Sequence, residues 1–139
     1  MNYLILLLPL CFLACNGNPN CPKGSHSAIT ITNQSSKRIY YQIYWNYPDT
    51  AIGQYNPVHN NGILKPGDNA IRTISPNGSK SCWEEILMKS EAENIYFFDA
   101  DIIENVPWED VQKNNTGLLE RRKVDLEYCK KNDWTIIYR

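Results

Sequence analysis

An all-β sandwich of the immunoglobulin-like or transthyretin-like kind, with about six or seven strands and two or three short helices in its connections, is the fold this sequence predicts. Three observations carry that expectation. Several segments alternate apolar and polar residues with a period of two, the spacing that turns one face of a strand toward a core. Clusters of Asn, Gly, Pro and Ser separate those segments at short intervals. The composition is 12 % aromatic, with 9 Tyr and 4 Trp against 2 Met, which favours sheet over helix.

The elements follow in chain order. AITITN, residues 28–33, sets Ile29 and Ile31 against Thr30 and Thr32, a half-buried strand, and the polar NQSSK after it makes a hairpin-type connection. RIYYQIYWNY, residues 38–47, answers it. Ile39, Tyr41, Ile43 and Trp45 share one face, the expected core side, while Tyr40, Gln42 and Tyr44 share the other. Residues 47–62, YPDTAIGQYNPVHNNG, hold two prolines and two glycines and predict a long excursion with at most one short edge strand. Long excursions are where sites tend to lie. A Pro66-Gly67 turn leads into a strand over 69–74, and SPNGSK turns the chain again.

Ser81, with Glu84 three residues on, predicts a capping-box start to a helix over 81–89 in which Trp83, Ile86 and Leu87 share a face. NIYFFDADII, from Asn94, is apolar on both sides and reads as a central strand. Pro107 opens a second short helix, PWEDVQK, which Gly117 helps to close. LLERRKV is a more polar strand near an edge. Asp125 caps the small helix LEYCKKN, and WTIIYR ends the chain as a strand with Trp134, Ile136 and Tyr138 on one side. No self-similar period is present, which excludes a repeat architecture.

The amino terminus has a different character. Residues 3–14, YLILLLPLCFLA, are uncharged and apolar over roughly a dozen positions, short of the ~20 a bilayer-spanning helix needs. That is the core of a signal peptide. It ends in Phe12-Leu13-Ala14 directly before Cys15, and this FLA-C arrangement resembles the lipobox of bacterial lipoproteins. The resemblance implies diacylglycerol transfer to the Cys15 thiol, cleavage just before it and acylation of the new terminus. A plain secretory signal with an incidental cysteine and a buried amino-terminal strand are the competing readings. The expected organisation is a signal peptide over 1–14, a lipidated flexible tether over 15–27, rich in Asn, Gly and Pro, and the sandwich domain over 28–139.

Of the 5 cysteines, Cys11 leaves with the signal and Cys15 takes lipid. Cys21, Cys82 and Cys129 then face an oxidising compartment, where they allow one disulfide in three ways. Cys129 shares a helix face with Leu126 and reads as a small buried hydrophobe. That leaves Cys21 and Cys82 as the pair that staples tether to domain. A catalytic thiol at Cys82 or Cys129 would need a base, and the histidines are His26 in the tether and His59 in a loop.

The net charge is −1, which gives no electrostatic footprint for nucleic acid. Asp99 and Asp101, with Glu104 close behind, are the one acidic grouping that invites a hydrolase or calcium reading, but the pattern is too short to specify either. The aromatics are the better lead. Tyr40 and Tyr44 on the outward face of the second strand, with Tyr47 and Tyr55 in the excursion, would form a flat platform for sugar rings or for a partner's apolar patch. The competing structural reading has them covering a second sheet face or lying under a helix.

The order YPDT at 47–50, FFDAD at 97–101, PWEDV at 107–111 and DWTIIYR at 133–139 resembles a family of small lipoproteins of unknown function from Gram-negative anaerobes. The resemblance spans 28–139 and carries no catalytic residue, metal ligand or cofactor with it; what it implies is a lipoprotein. Together these readings predict a non-enzymatic binding or assembly component of the cell envelope. It would be lipid-anchored in the outer membrane, face the periplasm and take a protein or glycan partner. A carbohydrate-binding module built on Tyr40, Tyr44 and Tyr47 and a small envelope hydrolase are the alternatives.

Overall fold

The structure, a computed structural model, describes residues 21, 23–45, 47–60, 62–73 and 81–139; the expected lipid attachment position Cys15 and the expected signal peptide lie outside the described residues. The described chain is mostly β, with two sheets and four short α-helices. Its strands are β1 (Ala28–Asn33), β2 (Ile39–Tyr44), β3 (Ile63–Leu64), β4 (Asn69–Thr73), β5 (Glu93–Asp99), β6 (Leu118–Val124) and β7 (Thr135–Tyr138). The helices are α1 (Trp83–Ser90), α2 (Ala100–Ile103), α3 (Trp108–Asn114) and α4 (Leu126–Lys131).

One sheet has the order β4-β1-β7 and the other β3-β2-β5-β6. Strands β1 and β7 run parallel, and every other pair is antiparallel. The main core lies between the sheets, where Ile29, Ile31 and Ile136 meet Ile39, Ile95 and Phe97. A second core covers the other face of the four-stranded sheet: Tyr40, Tyr96 and Phe98 pack with Ile52, Ile103 and Trp108. Every residue of β5 is therefore buried. This double coverage explains why its sequence is apolar on both sides rather than alternating.

Two local expectations are corrected. The strand that begins near Asn94 ends at Asp99, and Ala100–Ile103 turns as α2, giving four α-helices rather than two or three. The Asp99 carboxylate accepts the Asp101 N–H at 3.1 Å, so an N-cap outweighs the β-branched pair Ile102-Ile103. At α1, Cys82 rather than Ser81 holds the cap position, and no side chain caps the helix. Glu84 accepts instead from His26, through its backbone N–H at 3.0 Å and its Nδ1 at 2.7 Å. Burial pushes the Glu84 carboxyl up, but these hydrogen bonds outweigh it and hold the group below its usual range. The His26 ring also stacks on Trp134 at 4.1 Å. With Cys21 joined to Cys82 in a disulfide, the segment before β1 is fastened to the start of α1.

Candidate functional site

The two halves of β2 differ in what lies beside them. Strand β3 has 2 residues and pairs with β2 at Ile39 and Tyr40 alone. Beyond Tyr40, that edge of β2 has no strand partner among the described residues. The chain of the excursion passes there instead, and a cleft of about 410 Å³ opens between it, the end of β2 and Arg72 of β4. Its volume falls within the range of ligand pockets, and its lining mixes aromatic and polar side chains.

Trp45 forms one wall. It is 55 % exposed and stacks on the buried Trp83 with ring centres 5.4 Å apart and planes 15° from parallel. Trp83 is itself held by its Nε1–H, which donates to the Arg72 carbonyl at 3.4 Å, and it follows the disulfide-bonded Cys82 directly. The platform is thus braced from the other sheet. The Arg72 guanidinium lies 5.8 Å from the Tyr41 ring centre. Burial pushes the Tyr41 phenol up, and the neighbouring guanidinium offsets part of that rise. Arg72 makes no ion pair among the described residues, and it is the one charged side chain among the described residues lining the cleft.

Tyr55 also lines the cleft and is 71 % exposed. Its carbonyl accepts from Gln42 Nε2 at 2.6 Å, which ties the excursion to β2. Farther along, Gly53 packs under the Tyr44 ring so closely that a Cβ there would come within 2.7 Å of it, which explains the need for glycine. The Gly53 carbonyl accepts from Trp108 Nε1 at 3.2 Å, and the Ala51 carbonyl accepts from the Tyr96 hydroxyl at 3.1 Å. Although irregular, the excursion is thereby pinned on the second core and gives the cleft a fixed wall.

The expected platform of Tyr40, Tyr44, Tyr47 and Tyr55 is not assembled. Tyr40 is 6 % exposed, belongs to the second core and donates its hydroxyl to Glu104 at 2.9 Å. Tyr47 sits under Lys123, whose Nζ is 4.9 Å from its ring centre, and does not line the cleft. Tyr44 and Tyr55 do line it, in the company of Tyr41 and Trp45, which the alternation of β2 assigns to the core. The outward face of β2 is an inner face, because α2, α3 and the excursion cover it. The legible signal for Trp45 was its place at the strand end beside a proline-bearing excursion, where coverage runs out.

The acidic grouping stays together but is tied up by cations away from the cleft. Asp99 pairs with Lys37 at 2.6 Å, and Arg38 reaches both Asp101 and Glu104 at 2.8 Å. Hydrogen bonds from Arg38 and Tyr40 hold the Glu104 carboxyl below its usual range. Neither these acids nor His59 line the cleft. Cys129 is buried, and burial pushes its thiol up to about 12, far from a nucleophile's range. The sulfurs of Cys21 and Cys82 lie within 4.8 Å of the Glu85 carboxylate, but the disulfide occupies both. Among the described residues no helix is long and apolar enough to cross a membrane. No family model matches the chain, and neither the curated proteins nor the solved structures contain a significant match.

Proposed function

We propose that this chain is a non-enzymatic binding component of the bacterial cell envelope, moored by acyl chains on Cys15 in the outer membrane and facing the periplasm. Its ligand site is the aromatic cleft at the open end of β2. Two or more acyl chains suffice for stable anchoring, and the FLA-C motif is what supports them here. The observation that carries the binding reading is the convergence of Trp45 and Tyr55 on one cleft. Large aromatic side chains left in water beside a fixed wall fit recognition better than packing.

For the finer architecture we adopt the transthyretin-like variant of the sandwich. An immunoglobulin constant domain pairs its first strand with its second. Here β1 lies between β4 and β7 and runs parallel to β7.

Two measurements test the proposal. Feeding cells an alkyne palmitate labels the wild type and leaves Cys15→Ala unlabelled; equal incorporation rejects the anchor. Placing the photo-crosslinker p-benzoylphenylalanine at position 55 gives an envelope adduct, read by intact mass, that is absent when the same probe replaces the exposed Lys113 of α3. The same adduct pattern at both positions, or none at 55, rejects the cleft as the ligand site.

A further inference from the structure

The cleft's lining specifies more than a generic ligand, provided that the cleft is the binding site proposed above. We propose that it takes an acidic glycan, a chain of pyranose rings bearing carboxylates, with Trp45 and Tyr55 against the sugar faces and Arg72 paired to a carboxylate.

Exposed aromatic surface is concentrated at this cleft. Among the described residues the exposed large hydrophobic side chains are Trp45, Tyr55, Ile71, Met88 and Ile102, and the two aromatic ones are the two that line it. A flat, sugar-sized surface of C–H groups stacks on such rings, while the hydroxyls at its rim need polar partners. The side-chain amides of Gln42 and Asn60 are part of the cleft lining. An apolar peptide segment would instead favour aliphatic pockets. Among the described residues Ile43 is the one aliphatic side chain other than proline in the lining, and it packs against the main core.

Charge narrows the class further. Among the described residues lining the cleft Arg72 has neither an acid nor a second base beside it, so its guanidinium has donors to spare. Arg72 is exposed beside the Tyr41 ring, and a ligand stacked over the cleft would take it out of water, where a charge-assisted hydrogen bond is worth more than at an open surface. A neutral glycan would leave that charge partly desolvated without return, and a cationic one would be repelled. A carboxylate at the rim of a stacked pyranose satisfies it.

The platform is also held before the ligand arrives. Trp45 rests on Trp83, which the Arg72 carbonyl and the neighbouring disulfide fix in place. Little side-chain entropy is then lost on binding. Trp83 of α1, the support of Trp45, is hydrogen-bonded to the backbone of Arg72 in β4, which ties the platform to the residue that carries the charge.

The test is calorimetric titration of the full folded domain with trisaccharides of galacturonate and of glucuronate and with a muramate-containing disaccharide, each beside its methyl ester. At least one acid form binds, its ester binds about tenfold or more weakly, and Arg72→Gln removes the same factor for the acid but not for the ester. Trp45→Ala abolishes binding of both forms, and Trp45→Phe restores most of it. A cooperative thermal transition well above the titration temperature in each variant keeps these results free of folding effects, and Tyr55→Ala serves as the second wall variant if Trp45→Ala unfolds. Equal affinity for acid and ester, or indifference to Arg72→Gln, overturns the acidic specificity while leaving a glycan site. If none of the sugars binds, the inference fails, while an adduct at position 55 still upholds the binding site itself.

Discussion

The first and second halves of β2 carry the same kind of residue and meet opposite fates. Ile39, Tyr40 and Tyr41 are buried, whereas Gln42, Ile43 and Tyr44 are half-buried and Trp45 is exposed. Nothing in the alternation of IYYQIYW distinguishes them. The difference comes from the neighbours. Beside the first half lie β3 on one edge and the second core, with Ile103 of α2, on the outer face. Beside the second half the edge partner has ended and an irregular segment takes its place. An aromatic side chain on a strand is thus structural or available according to what the rest of the chain brings over it, and both outcomes occur within 6 residues here.

The largest expected effect tests the closed half. Phe98 stands opposite Tyr40 in the ladder and meets Trp108 edge-on at 5.5 Å. Phe98→Ala should cost about 3–5 kcal/mol, the range for emptying a fully buried aromatic site, and lower the urea midpoint accordingly. A loss below about 1 kcal/mol would mean that the second core is loosely packed and that the two halves of β2 differ less than their burial implies.

Next comes the brace under the open half. The disulfide closes a separation of 61 residues, for which the chain-entropy account gives about 4 kcal/mol as an upper figure. Cys21→Ser with Cys82→Ser should therefore lower stability by roughly 2–4 kcal/mol. Hydrogen exchange should quicken around Trp83 and Trp45 more than along β5. Uniform quickening would show that the open half has no separate support.

A buried acid offers a pH-dependent probe of the same end of the sheet. Glu93 begins β5, is buried, and leaves Oε2 without a partner among the described residues. Burial pushes its carboxyl above the ordinary value of 4.5, with Ser90 offsetting part of the rise. A raised folded pKa means that the native state holds the proton more tightly than the unfolded chain. Its contribution to stability is then full below about 4.5 and is lost as pH rises through the folded value. Glu93→Gln should stabilise the domain at pH 7 by about 1–3 kcal/mol, the cost of an unsatisfied buried polar group, and by progressively less toward pH 4. A gain that does not change with pH would remove the carboxyl as its cause.

How much of this was legible in the sequence depends on the range of the contact concerned. The strands at 28–33, 94–99 and 118–124 follow from period and apolar content, which are local. Asp125 as a helix cap is local too, and the structure has its carboxylate accepting from the Tyr128 N–H at 2.8 Å. The turn into α2 was missed because Ala100 and Ile103 look like strand residues until the Ala100 N–H is seen donating to the Arg38 carbonyl, 62 positions away, at 3.1 Å. The cleft was missed for the same reason. Arg72, Trp45 and Tyr55 come from two sheets and a loop, and no spacing along the chain brings them together. The tyrosine platform failed at Tyr40, whose outward place in the alternation said nothing about the helices folded over it.

The smallest expected effect on stability is the most direct measure of the contrast. Trp45 is a larger side chain than Phe98, so if size alone set the cost, Trp45→Ala would be the more damaging change. Its exposure means that truncation removes little buried surface, and what is lost is chiefly the stack on Trp83, a contact worth about 0.5–1.5 kcal/mol. Trp45→Phe should recover part of that, because a phenyl ring can still lie against the indole below. Measured by urea unfolding at a single pH, the ratio of the Phe98 to the Trp45 truncation should be about twofold or more. A ratio near one would place Trp45 in the core, where the alternation of β2 puts it, and would remove the wall on which a ligand is proposed to stack.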